Sequence, residues 1–260
     1  MRLGQGDAAR PTTRLRALID THRPLVVPGC FNAMSARILE HAGFPAVYMS
    51  GYGTSLNLLG LPDAGLATLT EMALNARLIA AAVKVPLIAD ADTGFGNAIN
   101  VVRTVEEYIR SGVAGLHLED QVAPKRCGHV AGREVIARDE AVLKIRAAAH
   151  TRDALDRDFV IIARTDARGA HGGSLDEAIA RANAFLEAGA DLAFVEGPKD
   201  VEEVARIGRE VKGPVFYNMT GISPRLSAEE MAALGIRVCI LPGAAMRATI
   251  MAIHDFAMAL

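Results

Sequence analysis

FVIIARTD (residues 159–166), LDEAIARANAFLE (175–187) and AGADLAFVE (188–196) are the stretches of this 260-residue chain that decide its fold. Phe159 to Ala163 is a short, unbroken apolar run rich in β-branched side chains, the pattern of a strand buried on both faces. Leu175 to Glu187 instead spaces its apolar residues at three and four, which is helical. Ala188-Gly189-Ala190-Asp191 stops that helix, and Leu192 to Val195 is again a buried strand. Strand, helix and strand in this order form a parallel βαβ unit.

Working outward, the same unit recurs along the chain. Apolar runs stand at Leu25 to Pro28, Ala46 to Met49, Leu87 to Ala89, Gly115 to Leu118, Val215 to Tyr217 and Val238 to Leu241, so there are eight in all. Helical spacing follows in Ala33 to Ala42, Glu71 to Val83, Val101 to Ser111, Arg138 to Ala149 and Val201 to Val211. Eight such units predict an α/β fold, a (β/α)8 TIM barrel, with residues 1–260 as one domain. A doubly wound open sheet is the competing topology, disfavoured because no Gly-x-Gly-x-x-Gly follows the first strand. A composition of 51% hydrophobic and 22% charged residues with a net charge of −2 gives no reason to expect nucleic acid or an acidic membrane as partner. Three widely spaced cysteines, Cys30, Cys127 and Cys239, make neither a disulfide framework nor a zinc pattern and suit a reducing compartment. With a polar start from Met1 to Pro11 and no membrane-length apolar run, the expected location is cytoplasmic.

The chemistry is expected where strands end. Polar residues follow seven of the runs: Ser50-Gly51-Tyr52, Asp90-Ala91-Asp92, Glu119-Asp120, Arg164-Thr165-Asp166, Glu196, Asn218-Met219-Thr220, and Pro242 with Arg247 a turn later. That is the face where barrel enzymes keep their sites. Two long connections, Ser50 to Thr70 and Asp120 to Ala137, leave the same face, and long loops in compact barrels are usually functional. Asp90 and Asp92, two apart on an extended chain, would point the same way, with Glu119 and Asp63 in reach. Such an oxygen-only set suits Mg2+ or Mn2+; alternatively one aspartate caps a helix and the other faces solvent. Cys127 lies in Lys125-Arg126-Cys127-Gly128-His129, where three basic neighbours favour a reactive thiolate. The alternatives are a buried small hydrophobe, a solvated basic turn and a loop histidine bonded to backbone. Arg164 closes an apolar strand and needs a partner: a substrate carboxylate, Glu119 or a structural pair with Asp166. With Arg247, Asn218 and the backbone near Gly51, it would hold a small acid; mouth hydrogen bonding is the neutral alternative.

These stretches, together with Gly60-Leu61-Pro62-Asp63, Asp92-Thr93-Gly94 and Phe194-Val195-Glu196, resemble the isocitrate lyase and phosphoenolpyruvate mutase superfamily over roughly Leu15 to Ala248. The Lys-Arg-Cys-Gly-His element places the resemblance on its lyase branch, with the petal death protein, 2,3-dimethylmalate lyase and methylisocitrate lyase group. The resemblance implies a Mg2+-dependent carbon–carbon lyase that cleaves a 2-hydroxy di- or tricarboxylate to an α-keto acid and a carboxylate. Asp90 and Asp92 would hold the metal, with Asp63 and Glu119 supporting through water. Ser50, Gly51, Tyr52, Asp92, Gly128, His129, Arg164, Glu196, Asn218, Thr220 and Arg247 would contact substrate. Cys127 would be the general acid, with Lys125, His129, Glu119 and Arg164 completing the catalytic set.

Two departures from the methylisocitrate lyase pattern stand out. Tyr52 replaces a second glycine and narrows the pocket, and Gly221 stands where an acidic residue is usual. Both turn expectation toward a 2-alkylmalate, or toward oxaloacetate cleaved hydrolytically to oxalate and acetate. A binding protein that holds an α-keto acid without turnover is the alternative of another class; a mobile-loop acid argues against it. Ala244 to Leu260 is apolar on nearly every side, so a neighbouring subunit is expected to cover it, giving a homo-oligomer. The resemblance implies a tetramer with exchanged last helices, and a tail beyond Leu260 that completes lid or interface.

Overall fold

The computed structural model of the chain describes residues 9–128 and 132–260. Eight parallel strands close into a barrel: β1 (Leu25–Cys30), β2 (Val47–Met49), β3 (Leu87–Asp90), β4 (Gly115–Glu119), β5 (Val160–Thr165), β6 (Leu192–Val195), β7 (Val215–Asn218) and β8 (Ile236–Leu241). The seam runs between first and last strand, Leu25 opposite Val238 and Pro28 opposite Leu241. All eight expected strands are present, so the closed barrel stands and the open sheet does not.

Ten helices accompany them among the described residues: α1 (Pro11–Thr21), α2 (Ala33–His41), α3 (Gly51–Leu59), α4 (Leu69–Ala82), α5 (Ala98–Arg110), α6 (Arg138–Leu155), α7 (Leu175–Glu187), α8 (Val201–Glu210), α9 (Ala228–Ala233) and α10 (Ala244–Ala259). Their starts are written locally. Asn32, Thr68, Asn97 and Ser227 each cap the third residue of a helix and receive a reciprocal side-chain bond, which satisfies otherwise orphaned N–H groups. None of these helices is long and apolar enough to cross a membrane.

One expectation needs correction. The connection from Ser50 to Thr70 is not one long loop, because Ser50 accepts the Gly53 N–H and starts α3, which Gly60 ends in left-handed conformation. Only about nine residues remain as loop before α4. The described residues of the second connection form no helix, and its base is zipped: Val122 N–H donates to Glu134 O, Ile136 N–H to Asp120 O, and Gln121 bridges Val135.

Strand alternation divides the molecule. Val27, Tyr48, Ile88, Ile162, Phe194, Phe216 and Ile240 fill the barrel interior, and Leu15 and Ile19 of α1 join that cluster from the N-terminal side. The opposite strand faces pack on the helices through Met49, Ala89, Ile161, Ala163, Val195 and Tyr217. Continuing the inward parity by two residues leads from Tyr48 to Ser50, Ile88 to Asp90, Ile162 to Arg164, Phe194 to Glu196 and Phe216 to Asn218. The same residue parity that builds a dry core therefore delivers polar groups at the C-terminal rim.

Candidate active site

Asp90 is the anchor of the rim. It ends β3, and its Oδ2 accepts the Gly51 N–H at 3.0 Å while its Oδ1 accepts the Asp92 N–H at 2.9 Å. Gly51 is required there, since a Cβ would collide with the Asp90 carboxylate. The Asp92 bond forms because the chain turns: Asp92 adopts φ +46°, a left-handed conformation uncommon outside glycine. Asp90 and Asp92 thus do not lie on one extended strand as their spacing suggested. Burial works to raise the Asp90 carboxyl, but the His117 imidazole, Lys125 and the Asp92 N–H hold it well below the usual range.

Beneath Asp90 stands a pair that the strand readings passed over. Tyr48 Oη lies 2.6 Å from His117 Nε2, and that nitrogen lies 3.4 Å from Asp90 Oδ1. Both side chains are buried, and their rings stack at 5.7 Å. The signal was parity: Tyr48 is two residues before Ser50, and His117 two before Glu119.

The loop after β4 reaches across the mouth. Lys125 is buried, with its ammonium 2.5 Å from Asp63 Oδ1 and 2.8 Å from Asp92 Oδ1. Sequence proximity suggested a lysine that favours the Cys127 thiolate; the structure instead gives its charge to two carboxylates. Burial alone would lower its pKa, yet Asp92, Glu119, Asp90 and Asp63 together raise it well above the ordinary lysine value. Gln121 fixes the loop by donating to Arg126 O and accepting the Arg126 N–H. Gly128 then abuts the far wall, where a Cβ would strike the Arg164 guanidinium. Cys127 is half-buried and lines the cavity, whereas Cys30 and Cys239 are buried thiols that burial pushes up to about 12. His129 lies outside the described residues.

Arg164 is saturated with acids. It forms a two-pronged pair with Asp166, Nε at 2.9 Å and Nη2 at 3.0 Å, and lies 3.3 Å from Glu119 and 3.5 Å from Glu196. Its guanidinium also sits over the Phe194 ring. Structural pairing and contact with Glu119, offered as alternatives from sequence, coexist. Asp166 is held in turn by Arg133, another residue the sequence reading did not single out. Asn218 Nδ2 donates to Glu196 Oε2 at 3.0 Å.

These groups surround a cavity of about 140 Å3. Ser50, Tyr52, Asp63, Asp90, Lys125, Cys127, Gly128, Arg164, Glu196, Asn218, Thr220 and Arg247 line it; Gly51, Asp92 and Glu119 stand in the buried floor around Asp90 and Arg164. Pro242 lines it as well, at the end of the eighth strand where the sequence placed it, whereas Tyr48, Phe194, Ile240 and Gly243 also line it and were not expected.

The floor has the chemistry of a hard-cation site. The carboxylates there offer oxygens only: Glu119 Oε1 is buried without a hydrogen-bond partner among the described residues, and the buried Asp92 Oδ1 is met by the Lys125 ammonium. Burial and the surrounding Asp90 and Asp63 charges push the Asp92 carboxyl up to about 6, against the pull of Lys125. Burial also raises Glu119 well above its ordinary value, with Asp166 and Asp90 adding and Arg164 and Lys125 opposing. Ionising these carboxyls is costly as they stand, and a divalent ion bound there would lower that cost. The expected four carboxylates are not a closed cage, however: among the described residues no three His, Cys, Asp or Glu side chains gather tightly enough to enclose an ion. Mg2+ commonly takes only one or two carboxylates plus water and substrate oxygens, so Asp90 and Asp92 fit that mode.

Known proteins share this architecture. A family model described as phosphoenolpyruvate phosphomutase matches residues 15–260. A 2,3-dimethylmalate lyase of Eubacterium barkeri is 48% identical over 244 residues, covering 93% of this chain and 83% of that protein. A solved oxaloacetate acetylhydrolase, in complex with the inhibitor 3,3-difluorooxalacetate, has a TM-score of 0.90 at 41% identity over 94% of this chain and 84% of its own. A phosphonopyruvate hydrolase solved with oxalate and Mg2+ has a TM-score of 0.87 at 33% identity over 96% of this chain and 87% of its own. The chain belongs to the phosphoenolpyruvate mutase and isocitrate lyase superfamily, and within it to the lyase branch.

Proposed function

We propose that this carbon–carbon lyase is Mg2+-dependent and cleaves a 2-hydroxy acid bearing a second carboxylate, releasing an α-keto acid and a carboxylate, with Cys127 as general acid. The observation that carries the reading is a buried floor of clustered carboxylates, Asp90, Asp92 and Glu119, with a half-buried thiol on the loop that roofs it. Asp90 and Asp92, with Asp63 and Glu119 behind, would hold Mg2+, which when bound would supply Lewis-acid polarisation and offset the floor's charge.

The protein's own groups do the rest. Ser50, Asn218, Thr220 and Arg247 lie where a small acid's oxygens need partners. Tyr48 stays protonated, because burial and then Asp90 raise its phenol well above 10, and so it serves as a hydrogen-bond donor at the cavity floor. As the C2 hydroxyl gives its proton to a carboxylate lining the cavity, its oxygen forms the keto group, the bond between C2 and C3 breaks, and the electrons of that bond pass to C3 beside the second carboxylate. The Cys127 thiol gives that carbon its proton. A positioned acid contributes roughly 10²- to 10⁴-fold, and the loop that carries it also keeps water out.

The test is Cys127→Ser. Expected is loss of cleavage by about 10²-fold or more with oxalate binding in Mg2+ retained by calorimetry. Undiminished turnover would reject the role of the thiol. A second reading, hydrolysis of oxaloacetate to oxalate and acetate, is favoured by the Tyr52 ring at the mouth and by the similarity to oxaloacetate acetylhydrolase. Products separate the two: pyruvate or another keto acid for lyase cleavage, oxalate with acetate for hydrolysis. The working unit is proposed to be a homo-oligomer, a tetramer with exchanged α10, in the cytoplasm.

A further inference from the structure

The cavity cations are unevenly committed. Lys125 is spent on Asp63 and Asp92, and Arg164 on Asp166, Glu119 and Glu196. Arg247 is the lining cation that remains, without a carboxylate partner among the described residues. Its guanidinium lies over Gly243, where a Cβ would stand 2.8 Å from Nη1, and the Tyr52 ring approaches the same point.

Arg247 also lines a second, outer cavity of about 370 Å3 at the ends of β7 and β8, joined to the first through Thr220. There it is accompanied by Arg225, which likewise has no carboxylate partner among the described residues, and no acidic side chain lines that space. The nearby Glu230 carboxylate is turned onto the Ser227 N–H. Gly221 adds no bulk, since a Cβ there would meet open space. The turn that presents Arg225 is fixed from both ends: Thr220 Oγ1 accepts the Ile222 and Ser223 N–H groups, and Tyr217 Oη donates to Pro224 O at 2.7 Å.

Resting on the lyase reading above, we infer that Arg225 and Arg247 form an outer anion subsite that selects substrates with an additional carboxylate on an arm projecting past Thr220. The inner cavity has Arg247 alone left for such a group, whereas the outer one adds Arg225 beside it and no acid to compete. The narrowing by Tyr52 then limits one wall only, and the arm leaves by the opposite one. Arg225 is a specificity-determining residue that does not touch the reacting carbons.

Calorimetry in saturating Mg2+ tests this with three probes: oxalate, methylsuccinate, and propane-1,2,3-tricarboxylate, which differs from methylsuccinate by one carboxylate on the arm. The wild type is expected to prefer the tricarboxylate over methylsuccinate. Arg225→Ala is expected to weaken the tricarboxylate about fivefold or more while oxalate and methylsuccinate stay within about twofold; Arg225→Lys is expected to restore part of the loss. A wild type without the preference, an Arg225→Ala variant that keeps it, or one that weakens all three probes alike overturns the subsite. Failure of oxalate to bind the wild type is a different result, and it overturns the lyase reading beneath it.

Discussion

At the scale of residues, the three cysteines separate sharply. Cys30 and Cys239 are buried, donate to backbone carbonyls and have thiols pushed up to about 12, so neither presents thiolate to solvent. Cys127 is half-exposed beside the cavity. Iodoacetamide applied to the native protein at pH 8 is therefore expected to modify Cys127 alone, as read by peptide mass spectrometry, with oxalate and Mg2+ slowing the reaction. Early labelling of Cys30 or Cys239 would mean that the barrel core opens readily.

Residue identity was legible in sequence wherever a polar group ended an apolar run, as at Asp90, Arg164, Glu196 and Asn218. Conformation was less so. Asp-Ala-Asp reads as extended, and only the folded chain shows the left-handed Asp92 that lets its own N–H reach Asp90. Tyr48 and His117 were hidden for another reason: a tyrosine or histidine inside a strand adds to an apolar pattern, and its pairing needs the partner strand in view.

At the scale of elements, the two loops that leave β2 and β4 act together. Lys125 clasps Asp63 across them, and Gly65 lies against the Lys125 backbone with 3.1 Å to a would-be Cβ. Residues in one buried charge network couple energetically. Lys125→Met and Asp63→Asn are each expected to lower kcat/KM, and the double variant to fall short of the product of the two by an interaction energy of about 1–3 kcal/mol. Additive losses would show that the clasp has no bearing on turnover. Sequence spacing could not supply this pairing, since the partners are sixty-two positions apart and neither lies in a periodic element. The same limit hid α3. Gly51 and Gly53 at its start argue against a helix, yet the Ser50 cap and the close approach to Asp90 require small residues there.

At the scale of the whole molecule, the barrel was legible because eight apolar runs and their intervening helices repeat one local pattern, and closure follows from strand count and twist. Association was legible only as a surface question. Along α10, Ile250, Met251, Ile253, Phe256 and Met258 are all exposed in the single chain. An apolar helix surface of that extent is costly in water, and a second copy of the chain is its expected cover. Light scattering at micromolar concentration is expected to report an oligomer, and Phe256→Glu with Ile253→Glu to shift it toward monomer while the circular dichroism spectrum keeps its barrel signature. A wild-type monomer under those conditions removes the exchanged-helix proposal.

The seam of the barrel carries one more consequence. β1 pairs with β8, whose last residue, Leu241, is translated more than two hundred positions later. During synthesis on the ribosome the first strand must wait, one edge bare, until β8 has emerged. A nascent chain arrested before Ile236 would hold two unzipped edges at once, making termination between β7 and β8 a direct route to aggregates rather than to a shorter enzyme.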